Sequence, residues 1–304
     1  MQVLVAGLLP HDSGKTTVAK YVLKGLKNIG LDVAAAKPIA GHSAWYQLHS
    51  LLKSIELGVL VGNDALELHR VCQKPKAIEV LNPIDTLQIP LDVVHFTSPK
   101  MYIETLDILP NIMGVARVST CIDESTVESR YYVVEDNLSK ITPSMLNVLN
   151  ILLERVSRKA KLISTVRKGK DLILILSTEG VSACDKCLDI LLKNHELVIV
   201  ESFNDAAAPT YLSSKADIVL IATPGKVMIL PGDKYYRAFN LLLDMEAGMH
   251  PWSAWVTTSQ ILTLVKPITL IDIEPITPDM IERQEIPKFA EQLANYIVKN
   301  LESK

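Results

Sequence analysis

The residues of this chain best equipped to act together chemically lie within its first seventeen positions. Val3-Leu4-Val5-Ala6-Gly7-Leu8-Leu9-Pro10-His11-Asp12-Ser13-Gly14-Lys15-Thr16-Thr17 runs from a short apolar segment through a turn-rich loop into Gly-Lys-Thr. This is the layout of a phosphate-binding loop, in which backbone N–H groups wrap a phosphate and a helix N-terminus adds its positive dipole end. In such a loop Gly7, His11, Asp12, Ser13, Gly14 and Thr17 surround a nucleotide. Lys15 reaches its β- and γ-phosphates, and the Thr16 hydroxyl ligates Mg²⁺. The spacing departs from the standard in one place: Leu9 stands where the first glycine belongs, and the nearest upstream glycine is Gly7.

Three further constellations add charge. In Ala36-Lys37-Pro38-Ile39-Ala40-Gly41-His42 a lysine ends a strand-like run. That position faces the crevice at the carboxyl ends of an open α/β sheet, where such folds bind ligands. Strand-end lysines are also commonly no more than solvated. Gly62-Asn63-Asp64-Ala65-Leu66 sets a carboxylate at a helix start, as a cation ligand or as an ordinary N-terminal charge preference. Leu197-Val198-Ile199-Val200-Glu201 is a fully apolar strand with an acid at its exit. Thr16, Asp64 and Glu201, with phosphate oxygens, would make the hard oxygen set that Mg²⁺ takes.

The elements that must position these groups alternate along the chain. Strand-like runs cover 2–6, 32–36, 171–176, 196–201, 217–222, 253–257 and 268–273, and helical patterns cover 15–29, 43–57, 63–72, 182–193, 233–246 and 287–302. Such alternation predicts an α/β protein, a three-layer sandwich around a mostly parallel sheet. In the first helix Val18, Val22, Leu26 and Ile29 share a face, and Gly30 suits the C-terminal cap. One region breaks the rhythm. Residues 114–122 and 127–135 flank the polar turn Asp123-Glu124-Ser125-Thr126 and predict an antiparallel hairpin. Thr142-Pro143 then predicts a helix over about 143–160. We therefore expect a single domain over 1–304, carrying an insertion over 93–178 with the hairpin at about 114–135.

Composition sets outer limits. At 304 residues, 48% hydrophobic and 21% charged, the chain is long enough for a substantial core. Few aromatics beside much Ile, Leu, Val and Lys would suit a thermophile. A net charge of −3 gives no general reason to expect a nucleic-acid or anionic-membrane partner. The first apolar run is strand-length with no basic region before it, and no apolar stretch approaches the roughly 18 residues that span a bilayer. A cytoplasmic protein is the expectation. Cys184-x-x-Cys187 lies in a helical pattern with no second ligand pair at zinc spacing, so helix packing is the preferred reading. The basic residues from Arg155 to Lys170 lack interleaved aromatics and read as a solvated face, although an anionic partner is the other reading.

Taken in order, the motifs resemble the dethiobiotin synthetase family of P-loop proteins. That family shows a loop ending Gly-Lys-Thr, a Lys-Pro-x-x-x-Gly segment, an Asn-x-Asp-Ala-Leu helix start, an Asn-Pro segment and a Val-Glu-Gly-Ala-Gly strand exit. Here Lys37-Pro38-Ile39-Ala40-Gly41, Asn63-Asp64-Ala65-Leu66, Asn82-Pro83 and Val200-Glu201 come after the loop at similar gaps. Ala254-Trp255-Val256-Thr257-Thr258 looks like the family's Gly-Trp-Val strand, with Thr258 in the place of a base-reading asparagine. The resemblance covers 1–92 and 179 to about 275. It implies ATP, or GTP, with Mg²⁺ held by Thr16, Asp64 and Glu201. It implies Lys15, Lys37 and Glu201 as the catalytic residues, and a small carboxylate or carbamate as acceptor. A homodimer is a further expectation. The departures fall on the substrate side: Pro10-His11 replaces the family's Asp-Thr, the Lys-Pro turn is one residue shorter, and Ser202-Phe203-Asn204-Asp205 replaces its glycine-rich loop. Two function classes are consistent with these residues, an ATP-using enzyme or a nucleotide-driven switch that binds a protein through the hairpin and the basic helix.

Overall fold

The computed structural model describes residues 1–246 and 256–302. Its strands are β1 (Gln2–Gly7), β2 (Val33–Ala36), β3 (Ile39–Ser43), β4 (Ile84–Gln88), β5 (Met113–Cys121), β6 (Val127–Val134), β7 (Leu162–Val166), β8 (Leu197–Glu201), β9 (Ile218–Thr223), β10 (Lys226–Pro231) and β11 (Thr269–Asp272). They form two sheets, one ordered β11-β10-β9-β1-β8-β2 and the other β3-β4-β5-β6-β7. In the first, β1 pairs in parallel with both β8 and β9, and β2 with β8. The fold is α/β with mixed sheets. Among the described residues no helix is long and apolar enough to cross a membrane.

The first sheet is apolar on both faces because helices cover both. Val3, Val5, Ile199 and Leu220 point to one side, where helices Lys15–Asn28, Asn63–Cys72 and Lys288–Glu302 pack. Leu4, Val198, Val200 and Ile221 point to the other, onto helices Val181–Asn194 and Gly232–Glu246. The α/β character and the helices on both faces of this sheet agree with the expectation, and β1, β2, β8, β9 and β11 fall on segments read as strands.

The second sheet was only partly foreseen. The hairpin is present as β5 and β6, with Val115 paired to Val133 and Cys121 to Val127. β3 and β4, which precede residue 93, join it in the same sheet. The hairpin thus lies at the centre of a five-stranded sheet. Leu87, Val115 and Tyr131 face helices Leu48–Leu57 and Pro143–Ser157. Ile84, Ala116 and Val134 face Leu172 and Leu176.

Four other expectations are corrected. Residues 171–175 lie in a helix, Gly169–Ile175, and Leu176 opens the π-helical turn Leu176–Gly180 that follows, so none of them is in a strand. Asp171 accepts a hydrogen bond from the Lys168 N–H at the helix start, and Leu172 and Leu176, four apart, are the buried pair. The helix expected over 43–57 begins only at Leu48, since Ile39–Ser43 is drawn into a strand. β10 was not expected, and it returns antiparallel along β9 to carry β11. Cys187 is no mere packing residue: it forms a disulfide with Cys121, joining the end of β5 to helix Val181–Asn194. Cys184 does pack in the core, donating its thiol hydrogen to the Pro38 carbonyl. Of the strand expected at 253–257, residues 253–255 lie outside the described residues, and Thr257 makes one antiparallel bridge with Ala206.

The two sheets meet at a short seam. β2 ends at Ala36 and β3 begins at Ile39, so the chain passes from one sheet to the other through Lys37 and Pro38 alone. The Lys37 N–H donates to the Leu81 carbonyl, and the Asn82 side-chain amide donates to the Lys37 carbonyl.

Candidate functional site

β1, β2 and β8 run parallel, so their carboxyl ends, Gly7, Ala36 and Glu201, come out along one edge. The loop after β1 turns with Asp12 and Gly14 in the left-handed region, at φ 53° and 87°. Glycine accepts that conformation freely. Helix Lys15–Asn28 then starts with no side chain capping its first N–H groups, leaving the positive end of its dipole open to the loop.

Lys15 folds back over the end of β1, where its ammonium donates to the Ser13 hydroxyl at 3.2 Å. A Cβ on Gly7 would lie 2.4 Å from Ser13 Oγ and 2.8 Å from Lys15 Nζ. The glycine is therefore needed at residue 7 for close approach of the lysine. Partial burial, and then the nearby Lys37 charge, pull the Lys15 amine below the ordinary lysine value.

Glu201 organises the rest. Its side chain is fully buried, and its Oε1 accepts from the Thr16 hydroxyl at 2.8 Å and from the Lys37 ammonium at 2.5 Å. Oε2 is buried without a hydrogen-bond partner among the described residues. Lys37 also donates to the Ser202 carbonyl at 2.9 Å and lies 3.5 Å from Asp64 Oδ2. Burial works against the Lys37 charge, but Glu201 and Asp64 outweigh it and hold the amine above the ordinary lysine value. Burial, opposed by Lys37, pushes the Glu201 carboxyl up. Lys37 is thus a buried cation shared by two carboxylates, not a free one.

An open cleft of about 850 Å³ lies over this network, lined by Pro10–Thr17, Lys37, Ala40–Ser43, Tyr46, Gln47, Asp64, Gln88, Phe203 and Asn204. It contains every sequence-expected site residue except three. Gly7 lies just beneath Lys15, and Glu201 is buried under Thr16 and Lys37. Thr258 is set apart: it is buried at the start of helix Thr258–Leu264, with its N–H and hydroxyl both donating to the Asp205 carbonyl. It does not line the cleft.

Sequence reasoning missed the wall that the second sheet contributes. His42 and Gln88 come from β3 and β4, and both strands were unassigned. His42 is buried, and its Nδ1 lies 2.9 Å from Asp85 Oδ1. The other Asp85 oxygen accepts from the Gly62 N–H at 2.8 Å. The only signal in the sequence was histidine directly after Gly41; nothing marked Asp85, which reaches it through β3–β4 pairing.

Among the described residues no group of three or more His, Cys, Asp or Glu side chains is placed to hold a metal ion. The donor set suits Mg²⁺ in a more limited way. The Thr16 hydroxyl hydrogen is directed to Glu201, which leaves its oxygen lone pairs for a cation, and the Asp64 carboxylate is half exposed in the cleft. Both are hard oxygen donors of the kind Mg²⁺ prefers alongside phosphate and water. Compared with protein-family models and with curated proteins, the chain matches none.

Proposed function

We propose that this chain is a Mg²⁺-dependent, nucleoside triphosphate-using enzyme of the P-loop class, resembling dethiobiotin synthetase, that activates a small carboxylate or carbamate acceptor in a cytoplasmic setting. The observation that carries the reading is the Lys15 ammonium folded over Gly7, beside the open helix start and the Thr16–Glu201–Lys37 chain. Lys15 and the first helical N–H groups bind the phosphates. Thr16 and Asp64 would hold Mg²⁺, which, when bound, neutralises charge on the transferring phosphoryl group. Glu201 orients the Thr16 hydroxyl. Lys37, balanced by Glu201 and Asp64, sets the potential of the cleft wall where an acidic acceptor would lie. Positioning and charge compensation of this sort supply most of the catalysis in phosphoryl transfer.

The switch reading is less well supported. It needs the hairpin as an exposed docking element, whereas Val115, Ala116, Val118, Tyr131 and Tyr132 are buried. Three cations of the basic run face acids, Arg158 with Glu154, Lys161 with Glu128 and Arg167 with Asp136.

Lys15→Ala is expected to weaken MgATP or MgGTP binding about tenfold or more with the fold intact, since a charged hydrogen bond contributes about 1.5–3 kcal/mol. Titration calorimetry on wild type and variant tests this, and unchanged affinity would overturn the reading. Gly7→Ala is expected to act on the same contact from below. The clashing atoms, Ser13 Oγ and Lys15 Nζ and Cδ, all belong to side chains, so these yield before the backbone does. Affinity should fall by about two- to tenfold, a fraction of one charged hydrogen bond.

A further inference from the structure

The cleft over Lys15 and Thr16 continues past Tyr46. A second cavity of about 680 Å³ adjoins it, and the two share Ser43, Tyr46 and Gln88 in their linings. Its volume lies within the range of about 300–1,000 Å³ in which small-molecule sites fall. Ile89 and Leu91, from the chain leaving β4, and Met145, from helix Pro143–Ser157, are buried residues of its wall. Tyr102, Ile103 and Leu106 line it from helix Pro99–Leu106. That helix is fastened in place. The Ser98 hydroxyl caps its start, the Tyr102 hydroxyl donates to the Leu91 carbonyl at 3.3 Å, and Phe96 packs edge-on against the Tyr102 ring with centroids 5.2 Å apart. Trp45, Tyr46, Val93 and Ile103, also in the lining, are 67%, 88%, 56% and 58% exposed. Large apolar side chains left exposed around one cavity mark a surface that binding would cover.

Charge divides the two cavities. Lys15 and Lys37 line the cleft, whereas the groove has no lysine, arginine or histidine in its lining and carries the carboxylates Asp92 and Asp107. An anionic head is therefore repelled from the groove and drawn to the cleft. An apolar body meets the reverse preference, because the loop side of the cleft is built from His11, Asp12, Ser13, Lys15, Thr16 and Thr17. The groove's wall from Val93 to Met145 lies outside the stretches that resemble dethiobiotin synthetase.

We propose that this groove seats the apolar body of the acceptor, with the acceptor's acidic head in the cleft beside Lys15 and Lys37. The acceptor is then an amphiphilic acid, one carboxylate or carbamate joined to an aliphatic or aromatic body that extends past Tyr46. The assignment rests on the proposed function and extends its acceptor from a small acid to one that carries an apolar body. Selection among acids comes from the groove, since each methylene taken out of water strengthens binding by about two- to fourfold.

Titration calorimetry on the MgADP complex, with straight-chain carboxylates of two to ten carbons as probes, tests the assignment. Affinity in the wild type should rise by about two- to fourfold per added methylene until the groove is filled. Alkanols of matching length should bind at least about tenfold more weakly, for want of a charged hydrogen bond to the head. Ile103→Glu, at an exposed helix position, should abolish the dependence on chain length while MgADP affinity stays within about twofold of wild type. Trp45→Ser, from the opposite element, should reduce the same slope. A flat series in the wild type, alkanols binding as well as acids, or an unchanged slope in both variants would overturn the proposal. So would a wild-type dimer in sedimentation velocity that Ile103→Glu turns into a monomer, since a second copy of the chain would then occupy the groove. A flat series in a chain that binds MgADP refutes the groove alone, whereas failure of the wild type to bind MgADP or MgATP refutes the proposed function and the assignment with it.

Discussion

Glu201→Ala is expected to destabilise the protein by about 3–5 kcal/mol, the usual cost of breaking a buried ion pair from one side. The substitution leaves the Lys37 ammonium, with a side chain only 3% exposed, facing the Ser202 carbonyl and an Asp64 carboxylate 3.5 Å away. Neither replaces the contact it loses. Urea unfolding of wild type and variant measures the effect, and a loss below about 1 kcal/mol would mean that water reaches the pair. The double variant Glu201→Leu, Lys37→Met should recover most of the loss, because two apolar groups of similar size remove both desolvation penalties together. Such a recovery in stability with no recovery of triphosphate turnover would separate the structural role of the pair from its place at the phosphates. The sign with pH is set by Lys37. Its pKa is held above the ordinary lysine value of 10.5, so its contribution is fully present below that pH and is lost only as pH rises through the folded value.

Reduction of the Cys121–Cys187 disulfide, or its replacement by alanines, is expected to cost about 2–4 kcal/mol. The bond closes a loop with a sequence separation of 66, and a loop of that size removes much freedom from the unfolded chain. It also fastens the last residue of β5 to a helix that covers the other sheet. Denaturant unfolding with and without a reductant tests the point. The alanine double variant should show no response to reductant, and the same midpoint for wild type in both conditions would refute the contribution. Cys184 offers the contrast, since its buried thiol, with a pKa raised well above the usual thiol value by burial, makes no covalent link.

The legibility of each element in the sequence depends on what its signal measures. β1, the helix after it, β8 and the helices at 63–72 and 288–302 are long periodic segments, and periodicity reports the face each one buries. The loop and Glu201 were legible for the same reason, since each lies at the exit of an unmistakable strand. β3, β4 and β7 were not. Ile39–Ser43 contains glycine and histidine, and Ile84–Gln88 alternates charge with apolar residues only briefly. Their strand character comes from neighbours supplied by the hairpin. The 171–176 run was read as a strand because a short, almost continuous apolar stretch carries no period of its own. Pairings across the fold were invisible: Lys37 with Glu201, His42 with Asp85 and Cys121 with Cys187 are joined only by tertiary structure. Lys37 was legible as a strand-end residue at the crevice, while its pairing with Glu201 and Asp64 was not.

The two-residue passage through Lys37 and Pro38 makes the charge network a mechanical joint. The Lys37 side chain is bound into the first sheet through Glu201, while its carbonyl and that of Pro38 accept hydrogen bonds from Asn82 and Ile84 at the entrance to β4. Proline fixes one of the few torsions that could let the two ends move independently. The same two residues thus tie the Glu201 end of one sheet to the first residue of β3, the strand that brings His42 to the opposite side of the cleft.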